Sequence, residues 1–427
     1  MKDVIGLYNK KRSVFAHSRF PCKIIKSASF EHKKTAAVIP ACAEYPNILS
    51  TFESLQALEY APSVICVVNH RANASGEVKE NNRTLVKEAP KYGVCVLDCS
   101  EPEFEFEQNE GVGTARRIGM DYALLSGAHV IACMDADTSV SVSYGPAVQD
   151  FFERCEFRLN GGKFPFAGAV TGFTHQAAEN RHLQTAIDAY EFFIKEHSRR
   201  LFKTGTPFYP YALGPSIVCS AWGYAASGGM NKRISGEDFY FLQSLIKVAV
   251  QQAAVQPEES AYAGYAGLCT FCTDGTLPEK KLRRFVFPEL DCTVFPQARL
   301  SKRTLFGTGQ RLAALTENAE NSKNTENTEN SAASIARDSL VYPDEVYKKI
   351  EDFIALFYKT AHKPELFFNE CAQCLDDVYD FLAKERFFDV WEKMLIQNRK
   401  NIRKLEAAFH TWFDGLKILR LIHYLMR

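Results

Sequence analysis

The chain has 427 residues, with 51 Lys and Arg balanced by 51 Asp and Glu and a formal net charge of zero. That balance argues against nucleic acid as the main partner, because such surfaces are basic. The length allows two or three domains with sizeable cores.

Thirteen cysteines, many set inside apolar runs such as residues 64–68, read as reduced, packed thiols in a reducing cytoplasm. No run reaches the roughly 20 apolar residues of a membrane-spanning helix. The start of the chain lacks the apolar block of a secretory signal. The expected location is cytoplasmic, with peripheral contact at the inner face of the membrane still compatible.

Residues 1–34 are basic and irregular, an N-terminal extension. Residues 35–40 read as the first strand, stopped by Pro40. Pro46 suits the first turn of a helix, in which Ile48, Leu49, Phe52, Leu55 and Leu58 recur along one face. A second strand over 63–68 leads to Asn69, a helix follows over 77–91, and a third strand over 94–98 ends in Asp98. Gly111-Val112-Gly113-Thr114 opens another helix, which Gly127 closes. Five apolar residues from Val130 then run into Asp135-Ala136-Asp137. They are too few for a helix and read as a buried strand.

Strands alternating with helices predict an α/β fold with a mostly parallel sheet. Ligands of such sheets sit outside the carboxyl ends of the strands. Glu44, Asn69, Asp98 and the acid pair therefore share the edge where a nucleotide is expected. Asp135 and Asp137 leave an extended chain on the same side. Two acids so placed suit a hard divalent cation that also takes substrate phosphate oxygens. A polar turn after a strand accounts for the pair equally well by itself.

Past residue 161 the rhythm changes. A strand over 164–172 precedes a long helix over 179–202, with Leu183, Ile187, Tyr190, Phe193 and Ile194 inward. After Gly228-Gly229, Ser235 is placed to cap a helix three residues before Asp238. Residues 251–288 read as an insertion. A strand over 292–295 leads into a basic, glycine-containing loop with Arg299, Lys302 and Arg303. The Asn, Thr, Glu and Ser of residues 316–336 make a flexible linker. Residues 342–427 are helical throughout. The division is thus an extension (1–34), an α/β domain (35–312, in halves 35–150 and 151–312), a linker (313–337) and a helical domain (338–427). Cys269/Cys272 and Cys371/Cys374 lie far apart on either side of the linker, which disfavours a shared zinc site.

Four motifs in this order resemble family 2 glycosyltransferases with the nucleotide-diphospho-sugar transferase (GT-A) fold. They are Ala37-Val38-Ile39-Pro40-Ala41-Cys42-Ala43-Glu44, Gly113-Thr114-Ala115-Arg116-Arg117-Ile118-Gly119, Asp135-Ala136-Asp137, and Gly228-Gly229 followed by Glu237-Asp238. The resemblance spans roughly residues 35–309. Cys42, Ala43, Asn69 and Arg117 depart from the family pattern.

The resemblance implies a GT-A-like sheet flanked by helices with a C-terminal helical appendage, and a metal-dependent, inverting hexosyl transfer from a nucleotide-diphospho-sugar. Pro40, Ala41, Glu44, Asn69, Arg116 and Asp135 would hold the donor. Asp137, with Asp135, would hold Mn²⁺ or Mg²⁺ through the DxD motif. Asp238 would be the general base, oriented by Glu237. Arg299, Arg303 and Trp222 are candidates for phosphate or acceptor contacts.

The acceptor (a glycan, a lipid-linked sugar or a small molecule) is left open. One alternative is a retaining transferase with a small phosphorylated acceptor such as a glycerate, in which Asp238 is dispensable. Another is a non-catalytic nucleotide-sugar-binding scaffold.

Overall fold

In the computed structural model, residues 3–16, 20–154, 156–159, 162–254, 287–299, 341–398 and 401–427 are described. The predicted linker, most of the predicted insertion, Arg303 and the Cys269/Cys272 pair lie outside them.

The strands in chain order are β1 (Lys23–Lys26), β2 (Thr35–Ala41), β3 (Ser63–Asn69), β4 (Cys95–Cys99), β5 (Val130–Cys133), β6 (Thr138–Val140), β7 (Glu156–Leu159), β8 (Gly162–Pro165), β9 (Gly168–Phe173), β10 (Ile217–Ser220) and β11 (Glu289–Pro296). Nine of them form one sheet in the order β1-β4-β3-β2-β5-β10-β9-β11-β6, while β7 and β8 pair separately. Strands β2 to β5 pair in parallel, as expected for βαβ units. Six of the nine strands run one way, and only β1, β10 and β6 oppose them. The fold is α/β with a mostly parallel sheet. Strand β3, Ser-Val-Ile-Cys-Val-Val-Asn, is buried at every position, as a central parallel strand of β-branched residues should be.

The helices over the first half are α1 (Val4–Lys11), α2 (Ile48–Gln56), α3 (Gly76–Glu88), α4 (Val112–Leu125) and α5 (Tyr144–Arg154). The second half carries α6 (Arg181–Lys203), α7 (Ala221–Ser227) and α8 (Glu237–Ala254). Asn180 caps α6, its side chain accepting from the Leu183 N–H.

Residues 1–34 are not the irregular lead-in that their composition predicts. Strand β1 pairs with β4 at the sheet edge, and α1 is held by a buried carboxylate. Asp121 on α4, fully buried, accepts from the Tyr8 hydroxyl at 2.7 Å, the Tyr224 hydroxyl at 2.6 Å and the Val14 N–H at 2.7 Å. All three donors lie at least 103 residues away in sequence, which is why no local pattern exposes the arrangement. Gly228 and Gly229, with φ of 90° and 80°, end α7 in the left-handed region. A Cβ on Gly229 would strike the Tyr8 hydroxyl. Asp121→Ala leaves these buried donors without their acceptor, at about 1–3 kcal/mol for each such group. Limited proteolysis is expected to release the first 16 or so residues of that variant before the rest of the chain unfolds.

The C-terminal appendage has six α-helices among the described residues: α9 (Asp344–Thr360), α10 (Phe367–Cys374), α11 (Asp376–Lys384), α12 (Phe387–Asn398), α13 (Ile402–Trp412) and α14 (Gly415–Leu425). It packs on α8 through α13. Gln243 accepts from the Gly415 N–H at 2.7 Å, and Lys247 pairs with Asp414 at 2.5 Å. His197 and Tyr347 join α6 to α9 at 2.7 Å. The apolar residues of α14, Ile418, Leu421 and Ile422, are buried in this packing. Among the described residues, no helix is long and apolar enough to cross a membrane.

Burial pushes the imidazole of His410, whose Nε2 meets the Tyr358 hydroxyl at 3.0 Å, down to about 3. Its folded value lies below its unfolded value. The stability this neutral histidine retains is therefore complete above about pH 6.5 and declines as pH falls toward 3, by about 1.4 kcal/mol per unit. Urea titrations of wild type and His410→Gln at several pH values are expected to show the variant with the shallower loss across that window.

Candidate active site

The carboxyl ends of β2, β3, β4 and β5 form one edge, and their registers bring Ala41 beside Val68 and Val38 beside Cys133. The Met134 N–H donates to the Val38 carbonyl at 3.0 Å, extending the ladder by one residue before Asp135 emerges. The turn Asp135-Ala136-Asp137 that follows is fixed by its backbone. The Ala136 carbonyl accepts from Thr51 Oγ1 on α2 at 3.0 Å. The Asp137 carbonyl accepts from the Gln297 N–H at 3.1 Å. With the backbone so held, both carboxylates are left for side-chain chemistry.

Each carboxylate meets an arginine. Arg116, buried in the middle of α4, donates from Nη2 to Asp135 Oδ1 at 2.5 Å and from Nε to Glu237 Oε1 at 3.2 Å. One guanidinium thereby links the end of β5 to the first residue of α8. Burial opposes the charge on Arg116, but Asp135 and Glu237 beside it hold its pKa above the ordinary arginine value. Among the described residues its Nη1 has no partner at hydrogen-bond geometry, although the guanidinium sits against the Cys133 thiol and interacts with it. A buried donor in this position is unusual. Gly214 makes room for this side chain, since a Cβ there would collide with Nη2 and crowd the guanidinium carbon at 3.1 Å. Gly214→Ala is expected to cost about 1–3 kcal/mol by overpacking. Urea unfolding measures that loss, and weakened ligand binding should accompany it.

Arg299, just after β11, takes the other side. Its Nη1 and Nη2 each donate to a Glu44 carboxylate oxygen at 3.1 Å, and its Nε lies 2.7 Å from Asp137 Oδ2. Burial, and then the Asp135 charge, push Asp137 up to about 6 against the pull of Arg299. Burial likewise raises Glu237 to about 7 despite Arg116, and raises Asp238 above the usual carboxylate range.

Asp238, one residue into α8, is less buried than Glu237, and its Oδ1 accepts from the Phe239 N–H at 2.7 Å. Ser235 does not cap this helix. The residue before Glu237 is Gly236, with φ of 69°, and its carbonyl accepts from the Tyr240 N–H at 3.3 Å. The approach to α8 is instead fixed by Asn231, whose Nδ2 donates to the Glu237 carbonyl at 2.8 Å, and by the Arg233 carbonyl, which accepts from the Gly113 N–H at 3.2 Å.

The structure therefore brings together Glu44, Arg116, Asp135, Asp137, Glu237, Asp238 and Arg299. Pro40 and Ala41 lie at the end of β2 above them. Asn69 is buried, and its side-chain amide donates to the Ala41 and Val67 carbonyls at 3.1 and 3.2 Å, so that amide holds the β2 end. Trp222 is half-buried on α7, which packs against α8 and β10.

Two residues absent from the sequence-based site shape the Glu44 loop. Asn82 Oδ1 accepts from the Ala43 N–H at 2.9 Å, and Asn81 Oδ1 accepts from the Tyr45 N–H at 3.0 Å. Asn82 is fully buried four residues after Val78 and three before Leu85. A polar residue at an inward helical position was the available signal.

Five carboxyl groups here face two guanidinium groups, an acid-rich set that already grips cationic side chains and suits a further cation. Among the described residues, no three Asp, Glu, His or Cys side chains converge as a ready-made metal cage. A cation that keeps several waters and uses one or two carboxylates plus substrate phosphates does not require such a cage.

Residues 36–214 match the family model of glycosyl transferase family 2. That stretch of the chain is similar to family 2 glycosyltransferases. No curated protein matches it.

Similar solved structures include Staphylococcus aureus TarS 1–349, at 13% identity and a TM-score of 0.32, covering 50% of this chain and 55% of that one. The chain thus spans about half the length of that relative. A second is the mannosyltransferase PcManGT from Pyrobaculum calidifontis in complex with GDP-Man and Mn²⁺, at 13% identity and a TM-score of 0.35, covering 96% and 93%. A third is S. aureus TarS 1–349 in complex with UDP-GlcNAc, at 10% identity and a TM-score of 0.38, covering 88% and 91%. The match to the family model ends at Gly214, the residue that makes room for Arg116, so Glu237 and Asp238 lie beyond it.

Proposed function

We propose that this glycosyltransferase moves a sugar from a nucleotide-diphospho-sugar to an acceptor hydroxyl with inversion at the anomeric carbon. The observation that carries the reading is the Arg116 bridge. It ties Asp135, at the strand end where a diphosphate is expected, to Glu237, the neighbour of a carboxylate able to act as base.

In this reading Asp238 takes the proton of the acceptor hydroxyl as that oxygen attacks the anomeric carbon. Its raised pKa makes it a better proton acceptor than an ordinary aspartate. Glu237, held by Arg116, keeps the first turn of α8 in place. The Nη1 donor of Arg116 and the fork of Arg299 are suited to diphosphate oxygens. Asp137, with Asp135, would hold Mn²⁺ or Mg²⁺, which when bound supplies positive charge to the departing diphosphate.

A thermal-shift panel of nucleoside diphosphates and nucleotide sugars, with and without Mn²⁺, tests the reading. A ligand present at 100 times its Kd stabilises the folded chain by about 2.7 kcal/mol. The expected result is one preferred nucleotide whose shift needs the metal in wild type, with that metal-dependent part lost in Asp137→Ala. A metal-dependent shift of unchanged size in a folded Asp137→Ala would remove the metal from Asp137. No shift with any nucleotide would overturn the donor class.

A further inference from the structure

Arg299 joins two loops brought together only by the fold. Its guanidinium spans Glu44, in the loop after β2, and Asp137, in the turn after β5, using Nη1, Nη2 and Nε at 3.1, 3.1 and 2.7 Å. Glu44 and Asp137 have side chains only 8% and 14% exposed, whereas that of Arg299 is 32% exposed. The acids are thus fixed within the protein, and the arginine reaches them from the open side. Asp135 adds a third negative charge near the guanidinium.

We propose that Arg299 is an exchangeable counter-ion that couples the binding of metal and diphosphate. This rests on the donor and metal reading above and adds a thermodynamic rule to it. A divalent cation that takes Asp137 alone must compete with the arginine already paired there. It would also leave the guanidinium short of one of its two anionic partners. A diphosphate resolves both problems, because its oxygens accept the same planar fork of donors that a carboxylate does. Arg299 then moves from Asp137 to the diphosphate while the cation takes Asp137. Each ligand is therefore held weakly alone and firmly with the other. By linkage the gain in affinity is the same in both directions.

The experiment is Mn²⁺ binding to the full chain, followed by the electron paramagnetic resonance signal of free Mn²⁺, with and without UDP or GDP. The variants are Arg299→Gln and Arg299→Lys, each checked for folding by circular dichroism. Wild type should bind Mn²⁺ about tenfold more tightly with the preferred nucleotide present, within the usual range of coupling between sites. Arg299→Gln should bind Mn²⁺ more tightly than wild type without nucleotide, and nucleotide should then tighten it by a smaller factor than in wild type. Arg299→Lys, which keeps the charge and loses the fork, should fall between them.

Wild-type coupling that persists unchanged in Arg299→Gln would overturn the counter-ion role while leaving the donor reading intact. So would Mn²⁺ affinity that is unchanged or weaker in Arg299→Gln without nucleotide. Absence of Mn²⁺ binding in every protein with every nucleotide would instead overturn the metal reading on which the proposal rests.

Discussion

Asp238→Asn is expected to lower transfer by a factor of about 10² to 10⁴, the usual contribution of a positioned general base. Asparagine has nearly the same shape and keeps an oxygen for the Phe239 N–H, which Asp238 accepts at 2.7 Å, so the start of α8 should survive. It cannot accept a proton from the sugar acceptor at neutral pH. The nucleotide-dependent thermal shift should accordingly match wild type while turnover collapses. Steady-state kinetics paired with that shift make the comparison, and the anomeric configuration of the product, read by NMR, completes it. Undiminished transfer with retention of configuration would support the alternative in which a small phosphorylated acceptor reacts without Asp238.

Arg116→Gln is expected to be the most destabilising change in the site, by about 3–5 kcal/mol, as is usual when one partner of a buried ion pair is removed. Most of that loss should come from Glu237, whose side chain is 7% exposed. The Asp135 side chain, 36% exposed, can be rehydrated. Glu237 is already raised to about 7 by burial. Without Arg116 it rises further, so the variant should lose less at pH 5 than at pH 8, where the orphaned carboxylate must stay charged or take up a proton. Arg116→Lys should rescue little, because one ammonium cannot reproduce the fork that meets two carboxylates from different elements. Adding Glu237→Gln to Arg116→Gln should recover part of the loss. Urea unfolding of the four proteins at both pH values tests each of these statements.

What the sequence revealed follows from locality. The strands around Val38, Val67 and Ile131, the helices between them and the Asp135-Ala136-Asp137 turn are written in short apolar runs and their punctuation. So are Arg116 and Glu237-Asp238, through motifs a few residues long. The pairing of Arg116 with both Asp135 and Glu237 is not written there, because its second arm crosses 121 residues. The grip of Arg299 on Glu44 crosses 255. Asn69 stands at a strand end, and the use of its side-chain amide by the carbonyls of Ala41 and Val67 is likewise not written in its neighbours. The order of the described N-terminal residues comes from Asp121 and the β4 edge, neither of which leaves a mark on that segment's own sequence.

The anchoring of that N-terminal segment bears on how the protein can be divided. A fragment limited to residues 36–214, the stretch that matches the family model, would omit Tyr8, Val14 and Tyr224 together. Asp121 would keep its place on α4 without those three donors, left with the longer 3.8 Å contact to Arg117. The same cut removes β1 and bares the outer edge of β4, a row of open backbone groups ready to pair with another chain. Such a fragment should accumulate as aggregate rather than as a smaller enzyme, and the unit that folds here is larger than the unit that the family shares.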